Sequence, residues 1–195
     1  MNDRVRAFLA IEMPSELIAD AADVQAVIRG RIERVSRGTV RWVDPRSFHL
    51  TVRFFGDLDR RGVERARDVV RGTRFDRIPV RMGKVSAFPS VSRPQVLWVG
   101  LEDGGGTLPV LVERLDHRLR EAGFGPPDKP WKSHLTFGRV ARGARLPDGW
   151  HEGVAPPASE YRLDSIALMR SELLPTGARY TALERVTAGR DDATG

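Results

Sequence analysis

The stretch Ser47-Phe48-His49-Leu50-Thr51-Val52-Arg53-Phe54-Phe55-Gly56 alternates in polarity like a β-strand, and its tripeptide His49-Leu50-Thr51 returns as His134-Leu135-Thr136 in KSHLTFGRV, residues 132–140. In a strand, residues two apart project from one face. His49, Thr51 and Arg53 therefore share a face, with Leu50, Val52 and Phe54 on the other. His134 and Thr136 oppose Leu135 and Phe137 in the same way. The chain holds only 4 His in 195 residues, so half of them fall in this one repeated context. The two copies lie too far apart for a single hairpin, which suits one copy per lobe. Facing each other, such strands bring a general acid, a general base and two anion-binding hydroxyls into one cleft.

Working outward, residues 5–12 read as a strand, and Pro14-Ser15-Glu16 opens a helix whose stripe is Leu17, Ile18, Ala21, Val24, Ile28, Ile32 and Val35. Strands are expected at 40–43, 48–55, 78–87, 95–101, 133–140, 162–173 and 179–186, and helices at 61–74 and from Leu108 to a stop at Gly123. A break is expected at Phe88-Pro89-Ser90 and a turn at Pro175-Thr176-Gly177. The pattern predicts a pseudo-symmetric bilobal α+β fold, two antiparallel sheets facing a central cleft with helices outside. Residues 1–187 are expected to form this single domain, and the small, polar residues 188–195 a disordered tail.

A formal net charge of +6 suits a partner rich in phosphate. Only Lys84, Lys129 and Lys132 are lysine, however, and so pronounced an arginine skew also arises from a GC-rich genome without selection for phosphate. With no Cys, thiolate catalysis, disulfides and cysteine zinc sites are excluded. No apolar segment approaches the length that spans a bilayer, and the short apolar run near the amino terminus is no signal core, so a cytoplasmic, soluble protein with no membrane partner is expected.

A lone strand histidine is ordinarily a structural residue satisfied by its backbone. Repetition with matching parity and matching strand context favours function here. A metal pair is disfavoured, since neither strand offers a Cys, Asp or Glu on the His face. His117 lies off the Leu108, Leu111, Leu115, Leu119 stripe and His151 falls in an irregular Gly/Pro stretch, so both are expected at the surface. Gly104-Gly105-Gly106 lacks a following Gly-Lys-Ser/Thr and reads as a turn before a helix, not a phosphate cradle.

At these residues the chain resembles the 2H phosphoesterase superfamily, named for two His-x-Ser/Thr motifs. More narrowly it is similar to the bacterial and archaeal RNA 2',3'-cyclic phosphodiesterases, also called LigT-like proteins or 2'-5' RNA ligases. The likeness runs from Arg6-Ala7-Phe8-Leu9-Ala10 through Arg41-Trp42-Val43, the first motif, Phe54-Phe55-Gly56, Arg93-Pro94 and Val96-Leu97-Trp98. It continues through the second motif and Arg139 to Arg170-Ser171-Glu172-Leu173 and Tyr180. It implies His49 as proton donor, His134 as the acceptor that activates water, Thr51 and Thr136 as phosphate holders, and a 2'-phosphate product with no metal and no cofactor. Ser133 stands where such proteins usually carry proline, and Trp131 where phenylalanine is frequent.

Opening a strained 2',3'-cyclic phosphate at an RNA end needs one neutral and one protonated imidazole, which two histidines near their ordinary pKa supply at neutral pH. A bell-shaped pH dependence is expected. Trp131 is a candidate for stacking on a base, and Arg41, Arg139 and Arg170 are candidates for phosphate or ribose contact. Arg139 reaches the His134 face only if the strand carries a bulge or its end twists. Three other functions use the same equipment: 2'-5' ligation as the reverse reaction, hydrolysis of a small cyclic nucleotide or an ADP-ribose cyclic phosphate, and RNA binding without turnover. No obligate protein partner is evident.

Overall fold

The protein, seen in a computed structural model, is described over residues 4–174 and 177–189. Alternating runs pair into two antiparallel sheets. β1 (Val5–Glu12) lies between β3 (His49–Leu58) and β8 (Ser165–Leu174), and β9 (Gly177–Thr187) completes a four-stranded sheet in the order β3-β1-β8-β9. β2 (Val40–Trp42), β6 (His134–Val140), β5 (Arg93–Glu102), β4 (Ile78–Ser90) and β7 (Glu160–Leu163) form a five-stranded sheet in the order β2-β6-β5-β4-β7. The first sheet carries one His-x-Thr motif and the second carries the other, at the first residues of β3 and β6.

Three helices cover the outer faces. α1 (Ser15–Val35) buries Leu17, Ala21, Val24, Ile28 and Ile32 along one stripe, while Val35 at its end is 71% exposed. Each fully buried aliphatic side chain contributes roughly 1.5–3 kcal/mol. Gln25 interrupts the stripe, and its amide donates to the carbonyls of Val43 and Phe137 at 2.8 Å each, so α1 docks on β2 and β6 of the second sheet. α2 (Arg60–Arg71) and α3 (Thr107–Glu121) cover the first sheet, where Asp116 pairs with Arg53 and the Phe124 ring lies 4.9 Å from that of Phe55. Gly106, at φ 73°, opens α3, and Asp103 Oδ2 accepts from Leu108 N at 2.6 Å, so the glycine run is a turn and helix start.

The lobes are not the two halves of the sequence. The first helix serves the second sheet, and the strand expected over 162–173 is two strands. Asp164 breaks it, leaving β7 in the second sheet and sending β8 to the first. The break expected at Phe88-Pro89-Ser90 is instead the outer end of a long hairpin. Pro89 faces Pro94 there, close to the turn, where missing backbone donors cost little. Of the expected tail, Ala188 and Gly189 donate to the carbonyls of Asp164 and Phe75 at 2.7 and 3.1 Å. Residues 190–195, and residues 175–176 of the expected turn, lie outside the described residues.

Two matching bulges set the side-chain parity of the motif strands. In β3 the register slips at Val52, so Thr51 faces Ala10 and Arg53 faces Leu9. In β6 it slips at Phe137, so Thr136 faces Trp98 and Gly138 faces Leu97. Each bulge turns the fifth residue after its histidine onto the histidine face: Phe54 in one strand, Arg139 in the other. Phe54, expected beneath the helices, is therefore 63% exposed, and Arg53, expected beside His49, is buried against Asp116 and the Gly125 carbonyl.

Gly138 occupies the inward position that Arg53 holds in the other lobe. A Cβ there would meet Val40 Cγ1 at 2.7 Å and the Arg41 carbonyl at 3.2 Å. Gly138→Ala is expected to cost about 1–3 kcal/mol, read as a lower urea midpoint at unchanged slope. Gly30→Ala, at an open site in α1, holds or raises the midpoint.

Candidate active site

His49 and His134 begin their strands in the same local geometry. The Nδ1 of each ring lies 2.8 Å from the carbonyl oxygen two residues back, Ser47 for one and Lys132 for the other. A carbonyl oxygen only accepts, so Nδ1 carries the proton and Nε2 is left free of the backbone. Aromatic rings wall each imidazole. Phe8 and Tyr180 stand 4.8 and 5.2 Å from His49, and Phe88 and Trp98 stand 4.9 and 6.0 Å from His134.

The motifs meet across the cleft. Trp131, three residues before His134, donates its indole N–H to the Thr51 carbonyl at 2.9 Å, joining the second motif's approach to the backbone of the first. Its ring packs against the core. The indole N–H thus ties the two motifs together. Thr51 and Thr136 are half-buried, and among the described residues neither hydroxyl is spent on a protein partner.

Burial pushes the pKa of His49 below the usual imidazole value, the Ser47 carbonyl partly offsets this, and the positive charge of His134 lowers it further. His134 is lowered for the same first reason, opposed by the Lys132 carbonyl and reinforced by the Arg139 and Lys132 charges. Both rings thus favour the neutral form more than the sequence suggests. Glu12 sits directly across the ladder from His49 but does not counter this. Its carboxylate is taken by Ser165 at 2.5 Å and Arg185 at 2.6 and 2.8 Å. Burial would raise the Glu12 pKa, but those partners outweigh it and hold the group ionised.

Beside His49, past the Phe8 and Tyr180 rings that wall it, lies a cleft of about 950 Å³ lined by Arg6, Phe8, Arg41, Phe54, Arg139 and Tyr180 among others. Arg41 and Arg139 are neighbours in the β2–β6 ladder. Arg6, Arg41 and Arg139 have no carboxylate partner among the described residues. Arg170 is placed elsewhere: it pairs in register with inward-facing Ala7 and forms an ion pair with Glu172 at 3.0 Å. Phe8, Arg6, Phe54 and Tyr180 were not among the sequence-derived site residues. Alternation along β1 marks Arg6 and Phe8, whereas Phe54 is hidden by the bulge. His117 is exposed beside Glu121, but His151, expected at the surface, is half-buried with its ring 4.9 Å from Trp150. Among the described residues no group of three or more His, Asp or Glu side chains converges as a metal site would require, and no helix is long and apolar enough to cross a membrane.

Each sheet carries one His-x-Thr pair, and the Trp131–Thr51 hydrogen bond joins the two motifs. The family model of LigT-like phosphoesterases matches residues 16–98. A protein of Methanothermobacter thermautotrophicus named RNA 2',3'-cyclic phosphodiesterase is 30% identical, over 93% of this chain and 97% of its own. One of the same name from Thermus thermophilus is 31% identical over 98% and 96%. A crystal structure of a Thermus thermophilus protein superposes with TM-score 0.76 at 26% identity, covering 93% of this chain and 97% of that one. Escherichia coli LigT complexed with 3'-AMP shares the fold at TM-score 0.74 and 20% identity, over 96% and 100%. The chain belongs to the LigT-like family of 2H phosphoesterases.

Because both imidazole pKa values are depressed, the one-neutral, one-protonated state is most populated on the acid side of the usual value of 6.5. The kcat/KM profile, which reports free-enzyme groups, should be bell-shaped with its maximum below pH 6.5. A profile that is flat, or that peaks above the ordinary imidazole value, contradicts this assignment.

Proposed function

We propose that the protein hydrolyses terminal 2',3'-cyclic phosphates of RNA to 2'-phosphates by a metal-independent, two-histidine mechanism. The matched rings carry this reading: Nδ1 of each is fixed as a donor to its own backbone, so each Nε2 can take a proton when neutral and give one when charged. The resemblance to the family gives His134 the role of base, accepting a proton from water, and His49 that of acid; both rings are held below the usual imidazole pKa by burial. Water attacks phosphorus as its proton passes to His134 Nε2, the bond from phosphorus to the ribose O3' breaks, and His49 Nε2–H protonates O3'. The rings finish with exchanged protonation and reset through solvent.

Thr51 and Thr136 donate to the non-bridging oxygens, whose charge grows in the transition state. The Arg41 and Arg139 guanidiniums add to that field. The exposed face of Phe54 in the cleft suits a nucleobase, a contact worth about 1–3 kcal/mol. The names of the archaeal and Thermus relatives agree with this substrate class. A 5'-hydroxyl in place of water would run ligation at the same site, and product analysis with such an acceptor separates the two.

The test is a cyclic-phosphate-ended oligonucleotide incubated with the protein in EDTA. His49→Ala and His134→Ala should each lose roughly 10²–10⁴-fold in kcat, and the wild-type product should carry phosphate at the 2' position. Turnover that survives either substitution, or that EDTA abolishes, contradicts the mechanism.

A further inference from the structure

Past β6 the chain runs through an irregular segment, residues 141–157, that lies beside the tip of the β4–β5 hairpin. Residues 91–96 and 139–152 enclose a groove of about 1080 Å³ between them. Its walls are fixed. Trp150 is buried and its indole N–H reaches the Val91 carbonyl at 3.4 Å, while Arg31 of α1 donates to the Glu152 carbonyl at 2.5 Å.

The lining is cationic. Arg93, Arg139, Arg142 and Arg145 face only Asp148 and Glu152 as opposing charges. Some arginines elsewhere on the surface pair with nearby carboxylates, as Arg29 does with Glu33 and Arg67 with Glu64. The exposed side chains of Arg93, Arg142 and Arg145 have no partner among the described residues. The His151 Nδ1 atom in the same wall is enclosed and also lacks a hydrogen-bond partner. Arg139 lines both this groove and the catalytic cleft, so the two form one path along β6. That path extends roughly 15 Å from His134, at about 3.3 Å per strand residue.

Resting on the cyclic-phosphate reading above, we propose that this groove carries the RNA strand upstream of the reacting end. Arg93, Arg142 and Arg145 hold its backbone phosphates, making the substrate a polynucleotide end and not a free nucleotide. Guanidiniums on phosphates position a strand without reading its sequence. The groove is therefore indifferent to base identity.

The Arg142→Ala/Arg145→Ala double variant changes only exposed side chains remote from the histidines. It is compared with wild type on a 2',3'-cyclic mononucleotide and on a tetranucleotide ending in the same group. In the variant, KM for the tetranucleotide should rise about tenfold with kcat unchanged, and mononucleotide turnover should match wild type. The log–log salt dependence for the tetranucleotide should flatten by about 0.7 per lost phosphate contact. Fluorescence anisotropy with a 3'-phosphate-ended tetranucleotide reads the groove independently of turnover. Weaker binding by the variant supports the proposal even if the cyclic-phosphate chemistry fails. Equal binding by both proteins, or equal losses on mononucleotide and tetranucleotide, overturns it.

Discussion

Each motif imidazole is committed by one hydrogen bond, from Nδ1–H to the carbonyl two residues earlier. It decides the tautomer, frees Nε2 and sets the ring plane. It also supplies the only influence that raises either histidine pKa against burial and neighbouring cations. Without it a strand histidine turns about χ1 and χ2 and offers either nitrogen. With it, two strands from different sheets present the same nitrogen to one space. The Trp131 N–H to Thr51 carbonyl bond then holds those strands in a fixed relation.

Symmetry in the backbone supports asymmetry in the chemistry. The same bulge after each His-x-Thr turns Phe54 into the cleft on one side and Arg139 on the other. A ring face and a guanidinium at equivalent positions give the cleft one apolar and one cationic wall, which fits a ligand with a base at one part and phosphate at another. The inward positions differ too. Arg53 fits because α3 offers Asp116, while the close approach of β2 leaves room only for Gly138. Charge follows the same division: Arg139 and Lys132 bear on His134, and Glu12, the carboxylate opposite His49, is held by Arg185 and Ser165. Both rings, with one local geometry, are shifted toward the neutral form, burial being the larger cause in each.

The periodic part of this architecture was legible from the chain. Strand and helix patterns located all three helices and the two motif strands, because burial of one face dictates them locally. The features that escaped depend on partners distant in sequence. A bulge is invisible to simple alternation, so Phe54 and Arg53 were placed on each other's faces, while Arg139 could be placed correctly only by allowing for one. Gln25 reads as a flaw in an apolar stripe until the carbonyls of Val43 and Phe137 arrive beneath it. The change of sheet at Asp164 leaves the local pattern of β7 and β8 unbroken. Trp131 reads equally as stacker or strut, and its bond to the Thr51 carbonyl shows that it acts as a strut. Arg170, in register with Ala7, stays exposed in an ion pair with Glu172 and does not line the cleft.

The account is tested most directly by ¹⁵N NMR of the two imidazoles, recorded free and with inorganic phosphate through a pH titration. It predicts that His49 and His134 are both Nδ1–H tautomers when neutral, that both titrate below the ordinary imidazole value, and that phosphate shifts both Nε2 resonances together. An Nε2–H tautomer at either residue, or a phosphate response at one ring alone, contradicts it.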